Sequence, residues 1–154
     1  MIVGLALPKR VFLESQEIAV TFVVPAPNGC NLACSFCAIR ARGEARPEDD
    51  RIGQDDYVAF LRAAAANYQV GVASVQGYEP LLPESWSYTQ AILETARELG
   101  LRTALVTNGT NLRQYADQLR ALGLDSLTVS VDSADPQEHP DTGFQKRGFL
   151  YRVR

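Results

Sequence analysis

The sequence predicts an α/β protein with a parallel β-sheet, and three observations support this prediction. Short apolar runs rich in β-branched residues occur four times along the chain. Longer segments with apolar residues at helical spacing lie between them. Each of these segments is roughly 12–16 residues long, enough for a helix that crosses from one strand to a parallel neighbour. The order β-α-β-α-β-α-β therefore favours about four βα units.

The strands and helices follow from the same signals, taken in chain order. The first predicted strand covers residues 18–24, is almost continuously apolar, and is ended by Pro25 and Pro27. The later predicted strands are 70–76, 102–107 and 126–131, and the predicted helices are 54–68, 84–99 and 111–122. Gly100 and Gly123 mark the ends of the second and third helices, because glycine commonly terminates a helix.

Each predicted helix carries one apolar face, which we expect to pack on the sheet. The residues of these faces are Tyr57, Phe60, Leu61, Ala64 and Tyr68 in the first helix, Ile92, Leu93, Ala96 and Leu99 in the second, and Leu112, Tyr115, Ala116, Leu119 and Leu122 in the third.

Composition indicates an ordinary globular domain. The chain has 154 residues, 46% of them hydrophobic, and a net charge of −3. No apolar run approaches the roughly 20 residues that span a bilayer, and the N-terminal charges follow the apolar patch instead of preceding it, unlike in a signal peptide. We therefore predict a cytoplasmic location, with neither a membrane nor a nucleic acid as partner.

All three cysteines lie in one short stretch with the spacing C-x3-C-x2-C: Cys30, Cys34 and Cys37. Clustered thiols in a reducing compartment more often bind metal than form disulfides. A closed structural site normally uses four ligands, so three cysteines suggest a [4Fe–4S] cluster with one iron left open. The alternatives are a structural zinc site, for which His139 is the only histidine available as a fourth ligand, and inert buried thiols.

Polar residues follow the other predicted strands, at the edge where parallel α/β folds bind ligands. The candidate binding residues are Gly77, Tyr78, Glu79 and Pro80 after the second strand, Asn108 after the third, and Ser130 and Asp132 at the end of the fourth. Ordinary turn chemistry is the alternative for each of them. Glu79 could be a solvated turn carboxylate, Asn108 an N-cap or left-handed turn residue, and Ser130 and Asp132 capping or loop residues.

These motifs together resemble the radical S-adenosylmethionine (radical SAM) superfamily. The cysteine spacing, with Phe36 directly before the last cysteine, is similar to the signature of that family. The turn Gly77-Tyr78-Glu79-Pro80 resembles its G-G-E-P turn, and Thr107-Asn108-Gly109 resembles its T-N-G turn. Ser130 and Asp132 resemble its ribose-contacting residues. The resemblance covers residues 18–143.

The resemblance implies a fold, two cofactors and a mechanism. The fold is a partial TIM barrel of the (β/α)6 type, of which this chain would contain about four units. The cysteines would hold a [4Fe–4S] cluster, and the amino and carboxylate groups of SAM would bind its open iron. One electron from a reductant such as flavodoxin or ferredoxin would cleave SAM to methionine and a 5′-deoxyadenosyl radical, which abstracts hydrogen from an unknown substrate.

The chain departs from the family pattern in two places. Tyr78 stands where the family has a second glycine, and no fifth or sixth strand is predicted. We therefore expect a truncated, split or partner-dependent version of the fold, which would pair with a C-terminal half or second chain. Its predicted parts are a lead-in at 1–17, a partial core domain at 18–143 and a tail at 144–154, whose basic residues Lys146, Arg147, Arg152 and Arg154 would be solvated or contact a partner.

Three functions remain compatible with the residues. The first is a radical SAM enzyme or the N-terminal part of one. The second is a non-catalytic iron–sulfur or electron-transfer protein, which the missing fifth and sixth strands and the tyrosine at position 78 favour slightly. The third is a zinc-stabilised interaction domain.

Overall fold

Four strands and three helices alternate in the computed structural model, which describes residues 17–25, 30–32, 34, 37 and 52–130. Their bounds are β1 (Ile18–Val24), α1 (Gln54–Asn67), β2 (Val70–Gly77), α2 (Pro83–Glu98), β3 (Arg102–Thr107), α3 (Leu112–Ala121) and β4 (Ser126–Val129). The strands form one sheet in the order β1-β2-β3-β4, and all neighbours are parallel. The predicted fold class is therefore confirmed.

The register of the sheet brings the carboxyl ends of neighbouring strands together. Val24 pairs with Gly77 at the ends of β1 and β2, and Thr107 pairs with Val129 at the ends of β3 and β4. Because all four strands run in the same direction, the segments that follow them leave from one edge of the sheet. This edge is called the carboxyl edge below.

An apolar core lies between the sheet and the helices of the described residues. Its buried residues come from three strands, three helices and the segment after β2, and they are Phe22, Val24, Tyr57, Leu61, Ala73, Val75, Leu81, Ile92, Leu93, Ala96, Leu105, Tyr115 and Leu119. The predicted apolar faces supply all of its helical members. Phe60, Leu99, Leu112 and Leu122 pack against this core while only partly buried.

Glycine ends the second and third helices, as predicted. Gly100 and Gly123 have φ angles of 70° and 68°, in the left-handed region. The amide N–H groups after them, on Leu101 and Leu124, donate to the carbonyl oxygens of Ala96 and Leu119. Each end is thus a Schellman motif, which satisfies carbonyl groups that the helix leaves without partners.

Apart from one-residue differences at the ends of β2 and of the helices, three details of the sequence prediction are wrong. Tyr68 is 66% exposed, because it is the C-cap of α1 and its extended backbone takes the side chain off the helix face. Ala116 is exposed, because α3 buries only the narrow stripe of Tyr115 and Leu119. The strand β4 ends at Val129, so Ser130 lies beyond it; the predicted end, Val131, is outside the described residues.

No helix in the part of the chain that the structure describes is long and apolar enough to cross a membrane.

Candidate functional site

The cysteine loop follows β1 directly, at the carboxyl edge. Cys30, Cys34 and Cys37 are half-buried thiols, none of them in a disulfide. The amide of Leu32 donates to the Sγ of Cys30 across 3.4 Å, and the amide of Cys37 donates to the carbonyl oxygen of Cys34 across 3.2 Å. An N–H group directed at a sulfur stabilises negative charge there, so the loop suits a thiolate ligand. Phe36 lies outside the described residues.

Two side chains fix the end of β1, where this loop begins. The Tyr57 hydroxyl on α1 donates to the carbonyl oxygen of Val23 at 2.8 Å. The Ser85 hydroxyl on α2 donates to the carbonyl oxygen of Pro25, also at 2.8 Å. Both helices therefore anchor the chain just before the first cysteine.

The carboxamide of Asn108, in the turn after β3, uses all four of its hydrogen-bonding positions. Its Oδ1 accepts from the amide and the hydroxyl of Thr110, at 2.9 and 2.7 Å. Its Nδ2 donates to the Oδ1 of Asn31 at 2.9 Å and to the Sγ of Cys30 at 3.6 Å. Asn108 is not the N-cap of α3, since that position belongs to Asn111. The prediction that Asn108 contacts SAM stays a prediction.

Asn31, Thr110 and Asn108 form a closed ring of hydrogen bonds, which we call the amide ring. Asn31 Nδ2 donates to Thr110 Oγ1 at 2.8 Å, the Thr110 hydroxyl donates to Asn108 Oδ1, and Asn108 Nδ2 donates to Asn31 Oδ1. The ring joins the cysteine loop to the turn after β3. Neither Asn31 nor Thr110 was among the candidate residues predicted from the sequence. The polar Asn31 among the apolar residues between Cys30 and Cys34 was a signal, whereas nothing distinguished Thr110.

Glu79 is buried beneath these turns, with 1% of its surface exposed. Its Oε1 accepts from the Thr107 hydroxyl at 2.5 Å and from the Leu81 amide at 3.0 Å. Its Oε2 accepts from the Asn108 amide at 2.6 Å. The alternative of a solvated turn carboxylate is therefore wrong. Glu79 joins the turn after β2 to the turn after β3, and its predicted contact with SAM remains a prediction.

The other residues of the 77–80 motif, which begins at the last residue of β2 and continues into the turn after it, divide into a buried and a half-buried pair. Pro80 is buried with Glu79, and its carbonyl oxygen accepts from the Thr89 hydroxyl at 2.9 Å. Gly77 and Tyr78 are half-buried. Gly77 has a φ of 135°, and a Cβ there would lie 3.0 Å from the carbonyl oxygen of Val24. Gly77 thus has an unusual backbone conformation and lies close to the backbone of β1. The prediction that these residues contact SAM stays a prediction.

Ser130 lies at the same edge as the cysteine loop. Its amide donates to the carbonyl oxygen of Thr107 at 2.8 Å, and the residue is exposed. The structure therefore places Cys30, Glu79, Asn108 and Ser130 at one edge. Asp132, His139 and the basic tail lie outside the described residues, so their predicted roles stay predictions.

The donor set fits a cluster of several irons. Within the described residues, no three histidine, cysteine, aspartate or glutamate side chains form a group that could hold a single metal ion. A cubane cluster binds each thiolate at a different iron, so its ligands do not need to converge on one point. Three thiols in one loop, with the N–H groups of Leu32 and Asn108 directed at the sulfur of Cys30, are a donor set of the kind that holds such a cluster.

Comparison with known proteins agrees with the site. The family model described as "Radical SAM superfamily" matches residues 24–152. A GTP 3′,8-cyclase of Nautilia profundicola is 30% identical over 128 residues, which are 82% of this chain and 40% of the relative. A probable GTP 3′,8-cyclase of Methanococcus maripaludis is 32% identical over 114 residues, which are 71% of this chain and 35% of the relative.

A GTP 3′,8-cyclase of a Mycobacterium species is 30% identical over 119 residues, covering 77% of this chain and 34% of the relative. The chain thus spans between 34% and 40% of the length of these three curated relatives. The family match includes the cysteine loop and the turns after β2 and β3. On this evidence, the chain belongs to the radical SAM superfamily.

Proposed function

We propose that this chain carries the cluster-binding and SAM-binding part of a radical SAM enzyme. The observation that supports the proposal most directly is the amide ring, which holds the three-cysteine loop against the turn after β3. The loop is thereby fixed at the carboxyl edge, where parallel α/β folds bind their ligands. The family match is consistent with this assignment.

Each residue at this edge has a role in the proposal. Cys30, Cys34 and Cys37 would hold three irons of a [4Fe–4S] cluster and leave the fourth for SAM. When bound and reduced, this cluster supplies the electron that cleaves SAM. The backbone of Gly77 and Tyr78 would hold the methionyl amino group, and Ser130 and Asp132 would contact the ribose. Glu79 would keep the turns after β2 and β3 in register.

The substrate proposal comes from the relatives. The three relatives described above carry the name GTP 3′,8-cyclase, so GTP is the first substrate to test. A flavodoxin or ferredoxin in the cytoplasm would be the electron donor. Since the chain spans at most 40% of these relatives, we propose that the residues that hold the substrate come from a further segment or a second chain.

Anaerobic reconstitution with iron and sulfide tests the cluster. We expect the wild-type protein to bind iron and to develop a broad visible charge-transfer absorption. Cys34→Ala removes one ligand and should lose most of that absorption. Ser126→Ala, an exposed residue of β4 outside the site, should behave like the wild type. Purified protein that contains zinc and takes up no iron would contradict the proposal and favour the zinc-stabilised domain.

A second measurement separates an enzyme from an electron-transfer protein. The reconstituted protein is incubated with SAM and dithionite, with and without GTP, and 5′-deoxyadenosine is quantified by chromatography. We expect wild-type protein to form 5′-deoxyadenosine, and Cys34→Ala to form none above background. A fully loaded wild-type cluster that yields no 5′-deoxyadenosine would favour the non-catalytic alternative.

A further inference from the structure

We propose that Asn108 is a positioning residue that raises the reduction potential of the cluster through a hydrogen bond to the sulfur of Cys30. The inference rests on the proposed function, because it requires the cluster that Cys30 would bind. It assigns the side chain of Asn108 to the cluster ligand, whereas the sequence motif pointed to a contact with SAM.

The orientation of the Asn108 carboxamide is fixed by a group that can only donate. The backbone N–H of Thr110 lies 2.9 Å from Oδ1, and a backbone N–H cannot accept a hydrogen bond. The oxygen of the carboxamide must therefore face Thr110. The NH2 group consequently faces Cys30 and Asn31, with one hydrogen for the sulfur and one for Asn31 Oδ1.

The amide ring keeps this donor in place. Asn31 Oδ1 holds the second hydrogen of Asn108 Nδ2, so the first remains directed at Cys30 Sγ, 3.6 Å away. The side chain has no unused position that could draw it toward another partner, since all four are occupied. Hydrogen bonds arranged in a network strengthen one another, which adds to the rigidity of the arrangement.

Hydrogen bonds to ligand sulfurs are one of the factors that set the potential of an iron–sulfur cluster. Reduction adds one negative charge, part of which resides on the sulfur ligands. An N–H group directed at a sulfur stabilises that charge, so it favours the reduced state and raises the potential. The amide of Leu32 also donates to Cys30, but as a backbone group it is common to every variant.

The test compares the midpoint potential of the SAM-free cluster in four proteins. The potential is measured by dithionite titration, with the reduced cluster followed by electron paramagnetic resonance. Asn108→Ala removes the donor. Asn108→Asp retains the acceptor for Thr110 but replaces the NH2 with a carboxylate oxygen beside the sulfur. Asn111→Ala is the matched control, because the Asn111 carboxamide donates to the carbonyl oxygen of Leu81 and not to a cysteine.

We expect the potential to fall in the order wild type, Asn108→Ala, Asn108→Asp, with Asn111→Ala equal to the wild type. If Asn108 only supported the fold, the potential of Asn108→Asp should lie closer to the wild type than that of Asn108→Ala, because the aspartate retains the bonds to Thr110. Equal potentials in all four loaded proteins would overturn the proposal, and so would loss of the cluster from both Asn108 variants. A wild-type protein that takes up no iron would refute the proposed cluster itself, and this inference with it.

Discussion

At the scale of single residues, Glu79 determines how two of the turns at the carboxyl edge fit together. Its carboxylate is buried, yet three donors surround it: the Thr107 hydroxyl and the amides of Leu81 and Asn108. Burial of a charged group is costly unless hydrogen bonds replace the lost water. The three bonds provide that replacement, and two of them come from the last residue of β3 and the first residue after it.

Glu79→Gln should destabilise the fold by about 1–3 kcal/mol, the usual cost of an unsatisfied buried polar group. The amides of Leu81 and Asn108 face different oxygens of Glu79, and both can only donate. Whichever way the glutamine side chain is turned, its NH2 group therefore opposes one of these N–H groups. Urea unfolding followed by circular dichroism measures the change in the free energy of unfolding.

Glu98→Gln is the control for this prediction. Glu98 is exposed and pairs with Arg62 on the surface, so its substitution should cost only about 0–1 kcal/mol. Equal losses for the two variants would show that the buried bonds of Glu79 do not stabilise the fold as argued.

The position of Glu79 could be predicted from the sequence, but the direction of its side chain could not. The strand signal before it and the proline after it place the residue in a turn. Its burial depends on donors at positions 107 and 108, which come close only once β2 and β3 pair. The same reason explains why Thr110 was missed: its partner Asn31 lies 79 residues away along the chain.

At the scale of elements, the junction between β1 and β2 depends on Gly77. It pairs with Val24 at the last position of both strands, immediately before the segment that leads to the cysteines. Its φ of 135° is one that other residues rarely adopt, and the space beside it is occupied by β1. The two strands can end side by side because no side chain stands between them.

Gly77→Ala should be more destabilising than Gly100→Ala. Gly100 also has a positive φ, but a Cβ there would meet nothing within 4 Å, so only the conformational cost of about 1–2 kcal/mol applies. At Gly77 the new Cβ also has to displace the carbonyl oxygen of Val24, 3.0 Å away. Thermal or urea unfolding of the two variants checks the order. A Gly77→Ala protein as stable as Gly100→Ala would contradict it.

Helices and strands were predictable because their signals are local. Strands β1 and β3 agree with the prediction at both ends, since prolines or turn residues stop them. The residues whose burial was predicted wrongly lie where a local sequence pattern does not determine packing. Tyr68 continues the spacing of α1 but falls at its C-cap, and Ala116 is a small side chain beside a stripe already filled by Tyr115 and Leu119.

At the scale of the whole molecule, the packing of α2 against α3 makes stability depend on pH. Trp86 and Tyr115 stack with ring centroids 4.4 Å apart. Burial, with a smaller contribution from the nearby carboxylate of Glu84, raises the pKa of Tyr115 above its ordinary value of 10.0. Between the unfolded and the folded pKa, the folded state holds the phenol proton more tightly than the unfolded state does.

The protein should therefore lose stability at alkaline pH, and Tyr115 should account for part of the loss. The contribution of the raised pKa is fully present below pH 10 and disappears as the pH rises through the folded pKa. Unfolding by urea between pH 8 and about pH 11 should show a smaller alkaline loss in Tyr115→Phe than in the wild type. Glu84→Gln, which removes only the carboxylate, should lie between the two. If the free energy of unfolding fell equally with pH in all three proteins, Tyr115 would not be a source of the alkaline loss.

At this scale, the parallel arrangement of the strands could be predicted from the sequence, because helical crossovers of this length join parallel strands. The site was predictable as a set of strand ends, which a parallel sheet brings to one edge. The amide ring could not be predicted, since it depends on the pairing of side chains from the cysteine loop with side chains from the turn after β3. The sequence motif at 107–109 indicated a ligand-binding turn, but the contact of Asn108 with Cys30 required the fold.

The amide ring also implies an order of events during synthesis. Two of its bonds join the cysteine loop to the turn after β3, and each connects residues that are 77 or 79 positions apart in the sequence. Such distant contacts form late because long loops are costly to close. Cys30 leaves the ribosome long before Thr110 does. The cysteine loop therefore reaches its final arrangement only after β3 has joined the sheet, and iron that arrives earlier meets cysteines whose supporting residues have not yet been made.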